Sequence, residues 1–378
     1  MSTKEQDKRT RIIFTVLAAA VGFCLCFLLG RVSLQEKVQK EKELDYALAR
    51  SDLDMLRFAD DTIYVTGHKK PDSDTVCSAV AYANLMRQLG FDAVPVVLGE
   101  LSKESMCILD QAGVPAPAFL ESAAGKYMIL VDHSETLHSL DDIGDAHVIA
   151  VIDHHSVGNV TTNNPTVYDA RPLGAAATIV WLRYRSYGIE PDRAMATVLL
   201  GAILSDTSNL KSESTTRADR EAVRILSGIA GIQDADAFYR ELSMAKYDYS
   251  GMSDEQIYLS DSKEYFAGNT KYSIGCISAY DEDSARALSV RMKEVMPEVI
   301  RTTGVDLTFA QISIFHDDIS IAYIVPGNET ADELLRSLSQ IYEGDTSFDG
   351  TAYIFEPGFS RKKLVAMLTD QFEAHPKE

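Results

Sequence analysis

Residues 127–155 read YMILVDHSETLHSLDDIGDAHVIAVIDHH. The runs YMILV (127–131) and VIAVI (148–152) are apolar without alternation, as in parallel strands covered on both faces. Each run stops on an aspartate followed by histidine: Asp132 and His133, then Asp153, His154 and His155. Upstream, TIYVT (62–66) and DAVPVVL (92–98) read as strands, with helices over 75–89 and 102–111. Downstream come helical patterns near 174–188, 193–205 and 217–229. Strands alternating with helices predict an α/β fold built on a doubly wound parallel sheet.

After Met252 the texture changes. KYSIGCISAY, DLTFAQISIF and ISIAYIV are strand-like, separated by the helical runs DSARALSVRMKEVM and ADELLRSLSQIY. A smaller α/β domain is expected over 254–378, joined to a first domain over 59–246 by a polar linker at 247–253. Two domains suit a chain of 378 residues.

The N-terminus is different in kind. Residues 12–30 carry no charge, and 19 residues at 1.5 Å per residue span about 28 Å, near the thickness of a bilayer core. The run exceeds the roughly 7–15 residues of a signal peptide, and no small-x-small site follows it. The expectation is a basic tail (1–11), a transmembrane helix (12–30) and a helical spacer (31–58), hence a single-pass membrane protein in contact with the lipid bilayer. Four basic residues on each side of the run leave the orientation open.

Overall, 36 Lys+Arg against 56 Asp+Glu give a net charge of −20. That argues against a nucleic-acid partner. Any polyanionic ligand would need cations or local basic groups to reverse the field. The five cysteines form no CxxC pair, so neither a zinc site nor a disulfide framework is indicated.

In an open parallel sheet the carboxyl ends of the strands converge where ligands bind. His68, Asp72 and Asp74 follow the first strand; Asp132 and Asp153–His155 follow two others; Asp206 ends the apolar stretch ATVLLGAILSDT. Carboxylates with imidazole and no thiolate suit Mn, Fe, Co or Mg better than structural zinc. So many carboxylates cannot all stay ionised together unless cations neutralise them. Two divalent ions would do so, and would activate a water between them. A second signal is SRKK (360–363), with Lys263 in LSDSKEYF, basic groups able to clamp phosphate oxygens. His138, His147 and His316 are assigned no role.

GHKKPDSDTVCSAVAYANLM, VDHSE, VIDHHSVGN, LSDTSNLKSESTT and SRKK, in this order, resemble the family II (manganese-dependent) inorganic pyrophosphatases of the DHH phosphoesterase superfamily. The resemblance covers about 62–373 and implies a DHH domain followed by a DHH-associated domain. It implies that His68 and Asp72 bind one metal ion, that Asp74, His154 and Asp206 bind a second, and that Asp132 bridges both. His155 would contact phosphate, Asp153 would orient its neighbours, and Lys263, Arg361 and Lys362 would hold the outer phosphate across an interdomain cleft. Lys246 competes for the first lysine role, but its spacing from Asp206 fits less well than that of Lys263.

The implied reaction is hydrolysis of pyrophosphate to two phosphates by a hydroxide bridging two divalent metals, most often manganese. The implied assembly is a homodimer paired through the DHH domain. The alternative is a membrane-anchored DHH phosphodiesterase acting on cyclic dinucleotides or short oligonucleotides. Two departures stand out: Lys70 replaces a common asparagine, and ARPLGAAAT lacks a serine often present after the glycine.

Overall fold

The computed structural model describes residues 3–51, 53, 61–162, 165–316 and 319–374. The chain divides into two compact units, residues 1–242 and 243–378.

The first unit opens with α1 (Thr3–Ala49). Then follow β1 (Ile63–Thr66), α2 (Ser73–Gln88), β2 (Ala93–Val97), α3 (Lys103–Ala112), β3 (Ala118–Phe119), β4 (Tyr127–Val131), β5 (His147–Asp153) and β6 (Val167–Ala170). It ends with α4 (Ala176–Ser186), α5 (Arg193–Asp206), α6 (Arg217–Ala230) and α7 (Ala235–Lys246), the last running into the second unit. The sheet has the order β3-β2-β1-β4-β5-β6, and every pairing is parallel. The strand order reverses between β1 and β4, the place where such sheets open a crevice at their carboxyl edge.

Alternation explains the two layers around this sheet. Val65, Ile129 and Val131 face one core with α2, α4 and α5, while Val96, Met128 and Leu130 face another under the 120–146 segment. A bulge at Ile149 shifts the register between β4 and β5, so Ile149 and Ala150 pack on the same side.

The edge strand β6 has no counterpart in the sequence reading. Its Asp169, 9% exposed, accepts hydrogen bonds from Arg171 Nη2 at 2.9 Å and from Arg183 Nε of α4 at 2.7 Å. Burial pushes this carboxyl up, but the Arg171 hydrogen bond and the charges of Arg183 and Arg171 overcome it and lower its pKa. Such a lowered group stabilises the fold above the unfolded aspartate value of about 4, and that contribution disappears as pH falls through the lower folded value. Asp169→Ala is therefore expected to cost about 3 kcal/mol in urea unfolding, because it strands a half-buried arginine. A loss under about 1 kcal/mol, the worth of an exposed pair, would show that the arginines are solvated instead.

The second unit contains α8 (Asp254–Ser260), β7 (Ser262–Ala267), β8 (Thr270–Ala279), α9 (Glu282–Thr303), β9 (Leu307–His316) and β10 (Ile319–Pro326). It closes with α10 (Glu329–Ile341), β11 (Asp345–Phe348), β12 (Tyr353–Glu356) and α11 (Arg361–Ala374). Its sheet is mixed, ordered β11-β12-β10-β9-β8-β7; β8 and β9 are parallel, linked by α9, and the other pairs are antiparallel.

The expected membrane span is corrected here. Among the described residues no helix is long and apolar enough to cross a membrane. Residues 12–30 fall within α1, but many side chains of the run (12–16, 18–20, 24, 26 and 29) lie outside the described residues. A crossing takes about 20 consecutive apolar residues, and the described part of α1 does not supply them. The helix goes on through 31–49 with charged, exposed side chains. A single-pass membrane location and a lipid partner are accordingly dropped. Beyond α1, Arg50 Nε donates to Tyr187 O at 3.0 Å and Leu53 is buried, which ties this segment to the first unit.

Candidate metal centre

His68 enters the site because β1 turns sharply into α2. A Cβ on Gly67 would lie 2.3 Å from Thr75 Cγ2, so only glycine allows this approach. Asp72 is the N-cap of α2: its Oδ1 accepts from Thr75 N at 2.9 Å, and its Oδ2 lies 3.5 Å from His68 Nε2.

Asp74, in the first turn of α2, is buried. It accepts from Ala176 N at 2.6 Å and Ala177 N at 2.9 Å, the first amides of α4. The cap residue of α4 is Ala175, which has no side-chain acceptor; a carboxylate from another helix therefore satisfies those amides. This is the physical setting of the missing serine.

Asp132 follows β4 with φ 61°, a left-handed conformation that aspartate tolerates at modest cost. Its Oδ2 accepts from Thr75 Oγ1 at 2.6 Å and lies 3.5 Å from His68 Nε2. Its Oδ1, buried and without a hydrogen bond, lies 3.1 Å from His154 Nε2 and 3.6 Å from His155 Nδ1. His154 Nδ1 is 3.0 Å from Leu173 O and donates to it in the neutral ring, leaving Nε2 as a lone pair. Two lone pairs facing each other at 3.1 Å repel unless a proton or a cation lies between them.

Asp206, the last residue of α5, places Oδ2 3.5 Å from His154 Nε2. Asp153 is buried, and its Oδ1 takes the His155 backbone N–H at 3.1 Å while lying 3.0 Å from His155 Nδ1. His133, adjacent to Asp132, is not in the cluster. Its ring nitrogens are held by Val131 O and Ser139 Oγ, and burial lowers its pKa.

The structure thus brings together three overlapping donor groups: His68, Asp72 and Asp132; Asp74, His154 and Asp206; Asp132, His154 and His155. Within each, candidate ligand atoms lie within 4.8 Å of one another. Strands β1, β4 and β5 deliver them from the carboxyl edge, beside the reversal of strand order.

Electrostatics show what the array lacks. Burial alone would lower His68, yet the hydrogen bonds and charges of Asp132 and Asp72 raise it to about 10. For His154, burial likewise opposes and the surrounding aspartates prevail, again raising it to about 10. Asp74 is pushed well up, by burial first and then by Asp132 and Asp206; Asp206 rises to about 6 by burial and its acidic neighbours, with His154 opposing. The site gathers protons onto imidazoles and carboxylates to offset its negative charge. Divalent cations meet the same demand, and a donor set of carboxylate oxygen and imidazole nitrogen fits manganese.

The predicted basic residues belong to the second unit. Lys263 is exposed on β7, and Arg361 and Lys362 open α11. Arg361 Nη1 donates to Asp261 O at 2.8 Å and to Asp261 Oδ1 at 2.9 Å. Asp261 stands two residues before Lys263, so its bonds to Arg361 bring these two cations into one neighbourhood.

Thr75 was missed by sequence reasoning, which began the helix at residue 75; Asp72, three residues before it, is the capping signal that could have found it. The Leu173 carbonyl and the α4 amides carry no side-chain signal at all.

Residues 62–203 match the model of the DHH family, N-terminal domain, and residues 240–371 match that of the DHHA2 domain. A Bacillus cereus (strain G9842) protein named "probable manganese-dependent inorganic pyrophosphatase" is 35% identical over 317 residues, covering 82% of this chain and 99% of the relative. The chain belongs to the manganese-dependent inorganic pyrophosphatase family. A relative of the same name from Bacillus cereus strain ATCC 10987 is 36% identical over the same shares of the two chains. Among solved structures, a Methanococcus jannaschii protein assigned to family II inorganic pyrophosphatase aligns with a TM-score of 0.54 at 31% identity, covering 82% of this chain and 99% of that one. The relatives are named manganese-dependent, which agrees with a donor set of carboxylate oxygen and imidazole nitrogen.

Proposed function

We propose that this chain hydrolyses inorganic pyrophosphate to two phosphates with two manganese ions. The observation that carries this reading is the 3.1 Å approach of Asp132 Oδ1 to His154 Nε2, with Leu173 O fixing the other ring nitrogen. His68 and Asp72 would hold one ion, Asp74, His154 and Asp206 the other, and Asp132 would serve both. When bound, the ions supply Lewis-acid polarisation of phosphoryl oxygens and a water acidic enough to act as nucleophile near neutral pH.

The remaining work falls to the chain. Thr75 holds Asp132 in the rotamer that offers Oδ1 to the cluster. Asp153 fixes the His155 ring, directing the other nitrogen, Nε2, to a phosphate oxygen. Lys263, Arg361 and Lys362 offset charge on the substrate's phosphates, which grows on the leaving group as the bond breaks. The domain limits proposed are 59–246 and 254–378 with a linker at 247–253; pairing of two chains through the first rests on the family resemblance alone.

The test is a substrate panel on the full-length chain with Mn, Co or Mg, comparing pyrophosphate with cyclic and linear dinucleotides. Phosphate release from pyrophosphate, fastest with manganese, is the expected result. Preferential cleavage of a dinucleotide would replace this reading with the phosphodiesterase one.

A further inference from the structure

Glu104 lies in the first turn of α3, a helix that contributes no residue to the donor groups. Its side chain is buried at 3% exposure. The α3 N-terminus favours its negative charge. One oxygen, Oε2, accepts two hydrogen bonds, each of 2.9 Å: from Ser73 Oγ and from Ser205 Oγ. Ser73 sits between Asp72 and Asp74 at the start of α2, and Ser205 immediately precedes Asp206 at the end of α5. Asp72 belongs to one donor group and Asp206 to another. A single carboxylate therefore tethers the backbone of both groups through the neighbours of their aspartates.

Two supports make the tether stiff. Ser105 Oγ lies 3.3 Å from Ser73 Oγ and 2.8 Å from Ser102 Oγ, and Ser102 caps α3. Further along the same helix, a Cβ on Gly201 of α5 would lie 2.8 Å from Ile108 Cγ1, so α3 and α5 are in close contact. Both serine hydrogen bonds converge on the same oxygen atom.

We infer that Glu104 is a positioning residue that couples the two metal-binding groups, so that ordering one by a bound ion orders the other. The inference rests on the reading of the cluster as a two-metal site, but not on its substrate. Removing partners of this kind typically costs about 10–100-fold in metal affinity.

The experiment titrates metal-stripped full-length protein with Mn(II), reading bound and free metal by electron paramagnetic resonance. Glu104→Gln is expected to weaken manganese binding about 10–100-fold. Ser73→Ala and Ser205→Ala are each expected to weaken it about tenfold. The double variant should be little worse than either single one, because each already breaks the shared tether. A purely structural role would leave the two serine effects additive. Should Glu104→Gln fail to fold, the serine pair still decides, since each single variant keeps the carboxylate and one of these two bonds. Unchanged affinity in folded Glu104→Gln, or additive serine effects, would overturn the inference. A wild-type chain that binds two ions without cleaving pyrophosphate would sink the functional reading and leave this one intact.

Discussion

Asp132→Asn lowers pyrophosphate hydrolysis at saturating manganese by roughly a thousandfold or more, equivalent to about 4 kcal/mol of transition-state stabilisation. The size follows from position. Among the described residues, Asp132 is the one acid facing both His68 and His154, at 3.5 Å and 3.1 Å. An amide removes the negative charge and turns an N–H₂ toward one of those rings. The substitution is well isolated, because asparagine also tolerates the left-handed backbone that Asp132 adopts at φ 61°. The folded structure is therefore expected to persist, which circular dichroism would check beside steady-state kinetics. A rate within tenfold of wild type would remove Asp132 from the centre of the site.

Manganese binding is expected to be strongly pH-dependent, tightening by roughly a hundredfold per pH unit around pH 7 for filling both positions. His68 and His154, each raised to about 10 in the metal-free protein, carry protons at neutral pH. Both must lose them to become ligands, so binding releases about two protons and rising pH favours it. Below about pH 6 the raised Asp206 carboxyl adds a third proton and steepens the dependence. The same raised imidazoles stabilise the metal-free fold fully below their unfolded value of about 6.5, a contribution lost as pH climbs toward about 10. Removing metal should therefore hurt stability more in alkali than near neutrality. Calorimetric titration in buffers of different ionisation enthalpy measures the proton count directly. A count near zero would show that the imidazoles are already neutral before metal arrives.

Much of this site was legible because the chemistry sits on side chains at strand ends. YMILV and VIAVI read as doubly covered strands, and parallel strands bring their carboxyl ends to one edge wherever they fall in the chain. Asp132, His154 and His68 were therefore readable as neighbours before any coordinates. The short edge strand β6 was not: four residues with one polar anchor leave too little pattern.

What holds the ligands was invisible for a different reason. The Leu173 carbonyl that sets the His154 tautomer is backbone, and the α4 amides capped by Asp74 are brought to it by tertiary packing across about a hundred residues. Glu104 carries no signal of its own in the sequence, and only the folded chain reveals its link to Ser73 and Ser205. At the N-terminus, reading a membrane span from the length and apolarity of 12–30 alone overreached what the described helix supports.

The most direct test of the central claim is the number of manganese ions retained by the full-length chain in equilibrium dialysis, for wild type and Asp132→Asn side by side. Two ions per wild-type chain, with at least one lost in the variant, is the expected result. Fewer than two in the wild type, or an identical count in both, would contradict a shared carboxylate at the heart of a two-metal site.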